Sequence, residues 1–186
     1  IERREFWGSW ILAGAESEEV ILNEVEVPET LIFRLGKSRE LDATQISGFL
    51  WFELLVTASY LGVASALVER VLCNKRGSAS ERVALGIELE GAMVALEGIA
   101  RSMMINRRDN DELARMLFVR YLVQGVIERV TQQATEVLGG MAFVSSSEVS
   151  YLLAAARALA FHPPSKASIT PELAGYLAGE TVLEIH

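Results

Sequence analysis

The spacing of apolar positions changes near residue 43. Before it, residues 20–27 (Val-Ile-Leu-Asn-Glu-Val-Glu-Val) are rich in β-branched side chains and partly alternate until Pro28, which predicts a strand. Residues 7–15 predict another. Two strands do not make a stable sheet alone, so further strands are expected from elsewhere. The charged stretch 34–42 predicts a linker.

From residue 43 the apolar positions recur every three or four residues. The first helix is expected over 43–73, closed by Asn74-Lys75-Arg76-Gly77-Ser78. A second, over 80–105, carries the stripe Leu85, Leu89, Ala92, Leu96 and Ile99. After a charged turn at 106–110, a third spans 111–138 with Leu113, Met116, Val123, Ile127, Val130, Ala134 and Val137 on one face. Gly139-Gly140 stops it. A fourth is expected over 147–161 from an N-cap near Ser147, broken by Pro163-Pro164. A short fifth, capped by Thr170 with Pro171 in its first turn, ends near Gly179. Four long helices with short turns predict a mainly α protein, an antiparallel four-helix bundle preceded by a short β segment.

Composition narrows the picture. Apolar residues make up 51% of the 186, so most helices should bury more than one side. Such helices carry more apolar positions than a lone bundle can cover. A homodimer or tetramer, or a complex with a missing N-terminal half, is therefore expected. The net charge of −8 excludes nucleic acid as a partner, because phosphate recognition needs clustered Lys and Arg. One cysteine, Cys73, excludes an internal disulfide and fits a reducing, cytoplasmic compartment. With only His162 and His186 beside it, no metal site is expected. The chain starts at Ile1 with charged residues and shows no apolar leader, as expected of a fragment or processed chain. Residues 49–68 are long enough for a membrane span, but they include Glu53, Thr57, Ser59, Tyr60 and Ser65. A lone carboxylate is costly at membrane depth, so no span is expected.

The order of these signals resembles the acyl-CoA dehydrogenase family, from the last strands of its middle β domain to its C-terminus. "SEEVILNEVEVPETLI" looks like the family's strand ending in Val-Pro, and "YLGVASALVERVL" is similar to the Leu-Gly-containing middle of the first C-terminal helix. "VIERVTQQATEVLGGMAF" resembles the family's Arg-Val-rich helix ending in Gln-x-x-Gly-Gly-x-Gly-Tyr. The resemblance implies a remnant of the middle β domain over 1–33 and the C-terminal helical bundle over 43–186. It also implies a FAD-dependent oxidoreductase that removes the α and β hydrogens of an acyl thioester, with a glutamate as base. Family members are dimers or tetramers in which the Gly-Gly turn reaches a neighbour's FAD.

Carried over residue by residue, Gly139 and Gly140 become candidates for close approach to the cofactor, and Glu136 stands where the family has its glutamine. Ser78 falls on the phosphate-binding arginine, with Arg76 and Arg82 beside it as substitutes; a solvated surface role is the alternative for both. Where many members read Tyr-Glu-Gly-Thr, this chain reads His162-Pro163-Pro164-Ser165. Pro163 replaces the catalytic glutamate, and Ser165 is the polar group left to meet a flavin. The two prolines are expected to form a stiff exit packed on the bundle end. Some members place the base on the first C-terminal helix. Glu53 lies one residue, about 100°, from that position and is the candidate catalytic base, with a core pair to an arginine as the alternative. Arg120 and Arg157 are expected in structural pairs. His162 is expected to be a helix-end histidine, with general base as the lesser alternative. Trp51, Phe52 and Tyr60 are expected in the core. The lost glutamate leaves a second functional class open, a catalytically silent homologue acting as a structural or partner subunit.

Overall fold

The structure, a computed structural model, describes residues 1–32, 41–105, 109–180 and 183. The chain divides into two compact units, Ile1–Ser38 and Arg39–His186. Most of the linker expected over 34–42, and most of the turn expected at 106–110, lies outside the described residues.

The first unit holds two short strands, β1 (Glu2–Arg4) and β2 (Glu19–Ile21), paired antiparallel with Arg3 opposite Val20. This corrects both strand expectations. Residues 7–15 form the reversal that brings β1 to β2. Leu12 (φ 58°) and Glu16 (φ 47°) sit in the left-handed region on either side of a 3-10 turn, Ala13–Ala15. The run 20–27 leaves the strand at Ile21 because Glu24 also turns left-handed at φ 47°, which breaks alternation. None of residues 1–32 is buried, so among them these apolar runs had no core face to fix a register.

The second unit is the expected bundle. Helix α1 spans Ala43–Cys73, α2 Ala79–Ile105 and α3 Asn110–Leu138, each within one residue of expectation. Their N-termini are legible in the sequence because side chains satisfy the orphan N–H groups there. Asp42 and Gln45 form a capping box on α1, Ser78 and Glu81 do the same on α2, and Asp109 accepts from the Glu112 amide on α3. Direction follows from cross-links. Glu88 meets Arg129 and Ser102 meets Arg115, so α2 and α3 run antiparallel.

After α3 the chain departs from expectation. An extra helix, α4 (Gly140–Ser145), precedes α5 (Ser147–Ala156), which starts at the Ser146 cap and tightens into a 3-10 turn over Arg157–Phe161. Arg70 meets Glu148 while Tyr60 meets His162, and Glu128 meets Arg157 while Arg120 meets Leu159 and His162, so the α5 stretch runs antiparallel to both α1 and α3. The last helix, α6, spans Lys166–Leu177 with Ser165 as its cap. Thr170 is therefore not the cap. Its hydroxyl donates to the Lys166 carbonyl at 2.6 Å, and Pro171 lies inside the helix. The earlier start turns Ile169 and Leu173, one turn apart, into the core.

The core is the meeting of the predicted stripes. Leu61, Leu67, Leu85, Met116, Val123 and Ile127 are wholly or almost wholly buried. α1 is long and apolar enough to cross a membrane, but it is the helix against which α2, α3 and α5 all pack.

Gly77, in the turn between α1 and α2, has φ +69°, and a Cβ there would lie 2.6 Å from Val137 Cγ1. Gly77→Ala is expected to lower the unfolding free energy by about 1–3 kcal/mol, combining left-handed strain with an overlap that a branched side chain cannot avoid. Urea denaturation of the two proteins measures it.

Candidate functional site

Two of the polar side chains that sequence reasoning singled out meet in the middle of the bundle. Glu53 of α1 and Arg120 of α3 are both fully buried, with Arg120 Nε 2.6 Å from Glu53 Oε2. Arg120 has donors left, and they go to one place. Nη1 donates to the Pro164 carbonyl at 2.9 Å, and Nη2 to the carbonyls of His162 (2.7 Å) and Leu159 (3.3 Å). The Tyr121 hydroxyl adds a second donor to Pro164 at 2.8 Å. A guanidinium has five N–H groups in a rigid fork, which suits it to gathering carbonyls that a helix end leaves orphaned.

The segment so held is the one that replaces the family's catalytic stretch. Pro164 is buried and Pro163 is exposed, so only the second proline packs on the bundle. The His162 ring meets α1. Its Nε2 is 3.0 Å from the Tyr60 hydroxyl, and its plane is tilted against the Tyr60 and Phe52 rings at centroid distances of 5.4 and 6.1 Å. Tyr60 is buried as expected, but Trp51 and Phe52 are not core residues. Both are exposed, as is Leu55, and of the three it is Phe52 that lies against the His162 ring. Helical phase explains this: Glu53, Thr57, Tyr60 and Ala64 already occupy the buried face, residues 51 and 55 fall on the opposite one, and residue 52 falls on the flank next to Tyr60.

Electrostatics follow from burial. Desolvation pushes the Glu53 carboxyl up to about 7, against the downward pull of Arg120. Burial also raises the Tyr60 and Tyr121 hydroxyls. It lowers His162, and the Arg120 charge lowers it further, so the imidazole is neutral at neutral pH. Glu53 Oε1 and Thr57 Oγ1, one turn apart on α1, meet no hydrogen-bond partner among the described residues.

The candidate cofactor residues fall into two groups. Ser165 lies at the Arg120 end, where its Oγ accepts from the Ser168 amide and so caps α6. Arg76, Arg82, Glu136, Gly139 and Gly140 lie towards the other end, close to where α3 stops. Eighteen residues of α3 separate Arg120 from Leu138, about 27 Å at 1.5 Å each. Arg82 donates to the carbonyls of Arg76 and Gly77 and so braces the turn between α1 and α2, whereas the Arg76 side chain is exposed. Glu136 is exposed and accepts from Gln132. Gly139, at φ +89°, opens onto free space, since a Cβ there would meet nothing within 4 Å. Arg157 pairs with Glu128 on the surface rather than inside the bundle. Tyr121 was not anticipated; its neighbour Arg120 was the only sign of it.

Glu53→Gln is expected to change how stability depends on pH. The folded carboxyl binds its proton more tightly than the unfolded one, so between about pH 5 and 7 the folded state holds the extra proton. Stability of the wild type relative to the variant then falls as pH rises through this window, by at most about 1.4 kcal/mol per pH unit, and is flat above it. Arg120→Met should cost at least about 3 kcal/mol, because it strands a buried carboxylate and the His162 carbonyl. Denaturation at a series of pH values measures both.

No family model matches the chain. Over 176 residues, 94% of its length, the chain is 45% identical to isobutylamine N-hydroxylase of Streptomyces viridifaciens. It spans about half of that relative's own length, 47%, and the matched stretch takes in nearly the whole of the bundle described above.

Proposed function

We propose that this chain is the helical part of a flavin-dependent oxidoreductase that N-hydroxylates a small primary alkylamine. The observation that carries the proposal is the 45% identity to an isobutylamine N-hydroxylase across 94% of the chain. The flavin, taken as FAD, comes from the resemblance to the acyl-CoA dehydrogenase family in the bundle sequence. When bound, it would pass two electrons to dioxygen, so that one oxygen atom enters the amine and the other leaves as water.

The chain's own residues fit such a group in two places. At the Arg120 end, exposed Phe52 suits a flat ring or a short alkyl group, and the carbonyl-clamped segment presents His162 beside it. At the other end, Arg76 offers an exposed guanidinium and Gly139 a backbone that a ligand can approach closely. Glu136 does not suit a phosphate, because its carboxylate would repel one. Groups about 27 Å apart on one bundle favour two copies that each contribute one end to a cofactor. A homodimer or tetramer is accordingly part of the proposal, and Val83, Ile87 and Val94 give α2 an exposed apolar stripe for contact. A complex with an N-terminal half is the alternative to self-association for such exposed apolar surface.

Dehydrogenation of an acyl thioester is the second reading, favoured by the resemblance alone. It needs a base. Glu53 fills that role only if its pair with Arg120 opens, since both are fully buried as they stand.

The test supplies the protein with reduced flavin and isotopically heavy dioxygen and offers isobutylamine and a short acyl thioester in turn. Heavy oxygen in an N-hydroxylated product is the expected result. An enoyl thioester with no labelled amine would replace the proposal with the second reading. Neither product, with no flavin retained, would identify a silent structural or partner subunit.

A further inference from the structure

His162 is held more firmly than a helix-end histidine requires. Its carbonyl accepts from buried Arg120 at 2.7 Å, its Nε2 is fixed 3.0 Å from the Tyr60 hydroxyl, and Phe52 lies against its ring edge. The other ring nitrogen, Nδ1, meets no partner among the described residues, and the side chain is only half buried. It adjoins the exposed Phe52 side chain of α1. A fixed, neutral imidazole with one nitrogen anchored and one open is suited to moving a proton.

The geometry points to His162 Nδ1 as the acceptor of the proton that leaves the amine nitrogen when that nitrogen is hydroxylated. This inference rests on the N-hydroxylation proposed above. The amine enters with its lone pair free, and that pair forms the N–O bond to one oxygen atom of dioxygen as the O–O bond breaks, with two electrons from reduced flavin taking the other oxygen to hydroxide and so to water. The nitrogen then carries a positive charge as R–NH2⁺–OH. One N–H bond must break: its electron pair stays on nitrogen as R–NHOH, and the proton forms a new bond to Nδ1. The imidazolium later releases that proton to solvent.

Acidities agree with this order. Oxygen attached to nitrogen withdraws electron density, so the hydroxylated cation is a far stronger acid than the parent alkylammonium. A base of lowered pKa can take its proton, although it could not strip the parent ammonium. His162 is such a base, lowered from 6.5 by burial and then by Arg120. The titratable or charged groups around it are Tyr60 from α1, Arg120 with Glu53 behind it, Tyr121 from α3, and Tyr151, which acts on Tyr60. Tyr60 holds the required tautomer when its oxygen accepts from Nε2–H, leaving the Nδ1 lone pair open. Its raised pKa keeps the hydroxyl un-ionised throughout.

His162→Gln removes the titrating group and keeps an amide near Tyr60. At saturating isobutylamine, kcat is expected to fall about 100-fold, the order a general base contributes, with KM unchanged. The fall of kcat below pH 6.5, where the imidazole takes its proton, should disappear in the variant. Nitrogen-resolved magnetic resonance of the wild type gives a readout independent of turnover: adding N-hydroxyisobutylamine should move the His162 Nδ1 signal and leave Nε2 nearly still. Unchanged kcat with the same acid limb, or an Nδ1 signal indifferent to the ligand, overturns the assignment while N-hydroxylation stands. A wild type that hydroxylates no amine overturns both.

Discussion

Arg120 carries a full charge in the centre of a helical bundle, and nearly everything around the candidate site is arranged to make that tolerable. Its charge is met by Glu53 from α1, and two of its nitrogens are met by three carbonyls from the segment that ends α5. Neither half of this arrangement stands without the other. A buried carboxylate without Arg120 would be uncompensated, and the His162 carbonyl would lose its donor, while Leu159 and Pro164 would keep only the His162 amide and the Tyr121 hydroxyl. The pair also fixes the register of α1 against α3, since a slide by one turn would take Glu53 beyond reach of the guanidinium.

The same pair links structure to acid–base behaviour. The Arg120 charge that anchors the backbone of His162 also depresses the pKa of its ring. Burial that makes the pair costly raises Glu53 to about 7, so the neutralising partner itself titrates near neutrality. A residue that resemblance nominated as a base thus stands behind a different candidate, as the counter-charge of the arginine that positions it. The two prolines share this logic. Pro164 lacks an N–H to satisfy and gives its carbonyl to Arg120 and Tyr121, while exposed Pro163 carries no such contact.

Division of the bundle into two functional ends follows from helix length. The α1–α2 turn and the Gly139 turn lie at one end, the clamped segment about 27 Å away along α3. Ser165, for which a flavin contact was expected, is engaged in capping α6, and Arg82 in bracing the α1–α2 turn. Helix ends and turns compete for the same polar side chains that a ligand would use, and here they have them.

What the sequence determined by itself was the part that depends on local rules. Apolar spacing and the turn signals at 74–78, 106–110 and Gly139-Gly140 predicted three long helices to within a residue, because period and turn chemistry are both written in neighbouring positions. It also gave the burial stripes, the stop at Gly139 and a structural partner for Arg120. Tertiary structure decided the rest. The strand runs at 7–15 and 20–27 failed because β pairing is non-local, and backbone reversals at Leu12, Glu16 and Glu24 chose different partners. Trp51 and Phe52 looked like core because hydrophobicity does not say which face of an apolar helix the neighbours will cover. Which carboxylate Arg120 meets, and that Tyr60 reaches His162 across 102 positions of sequence, depended on how α1, α3 and α5 pack. A side chain's partner is set by the register between helices, and that register is decided only when their faces interlock.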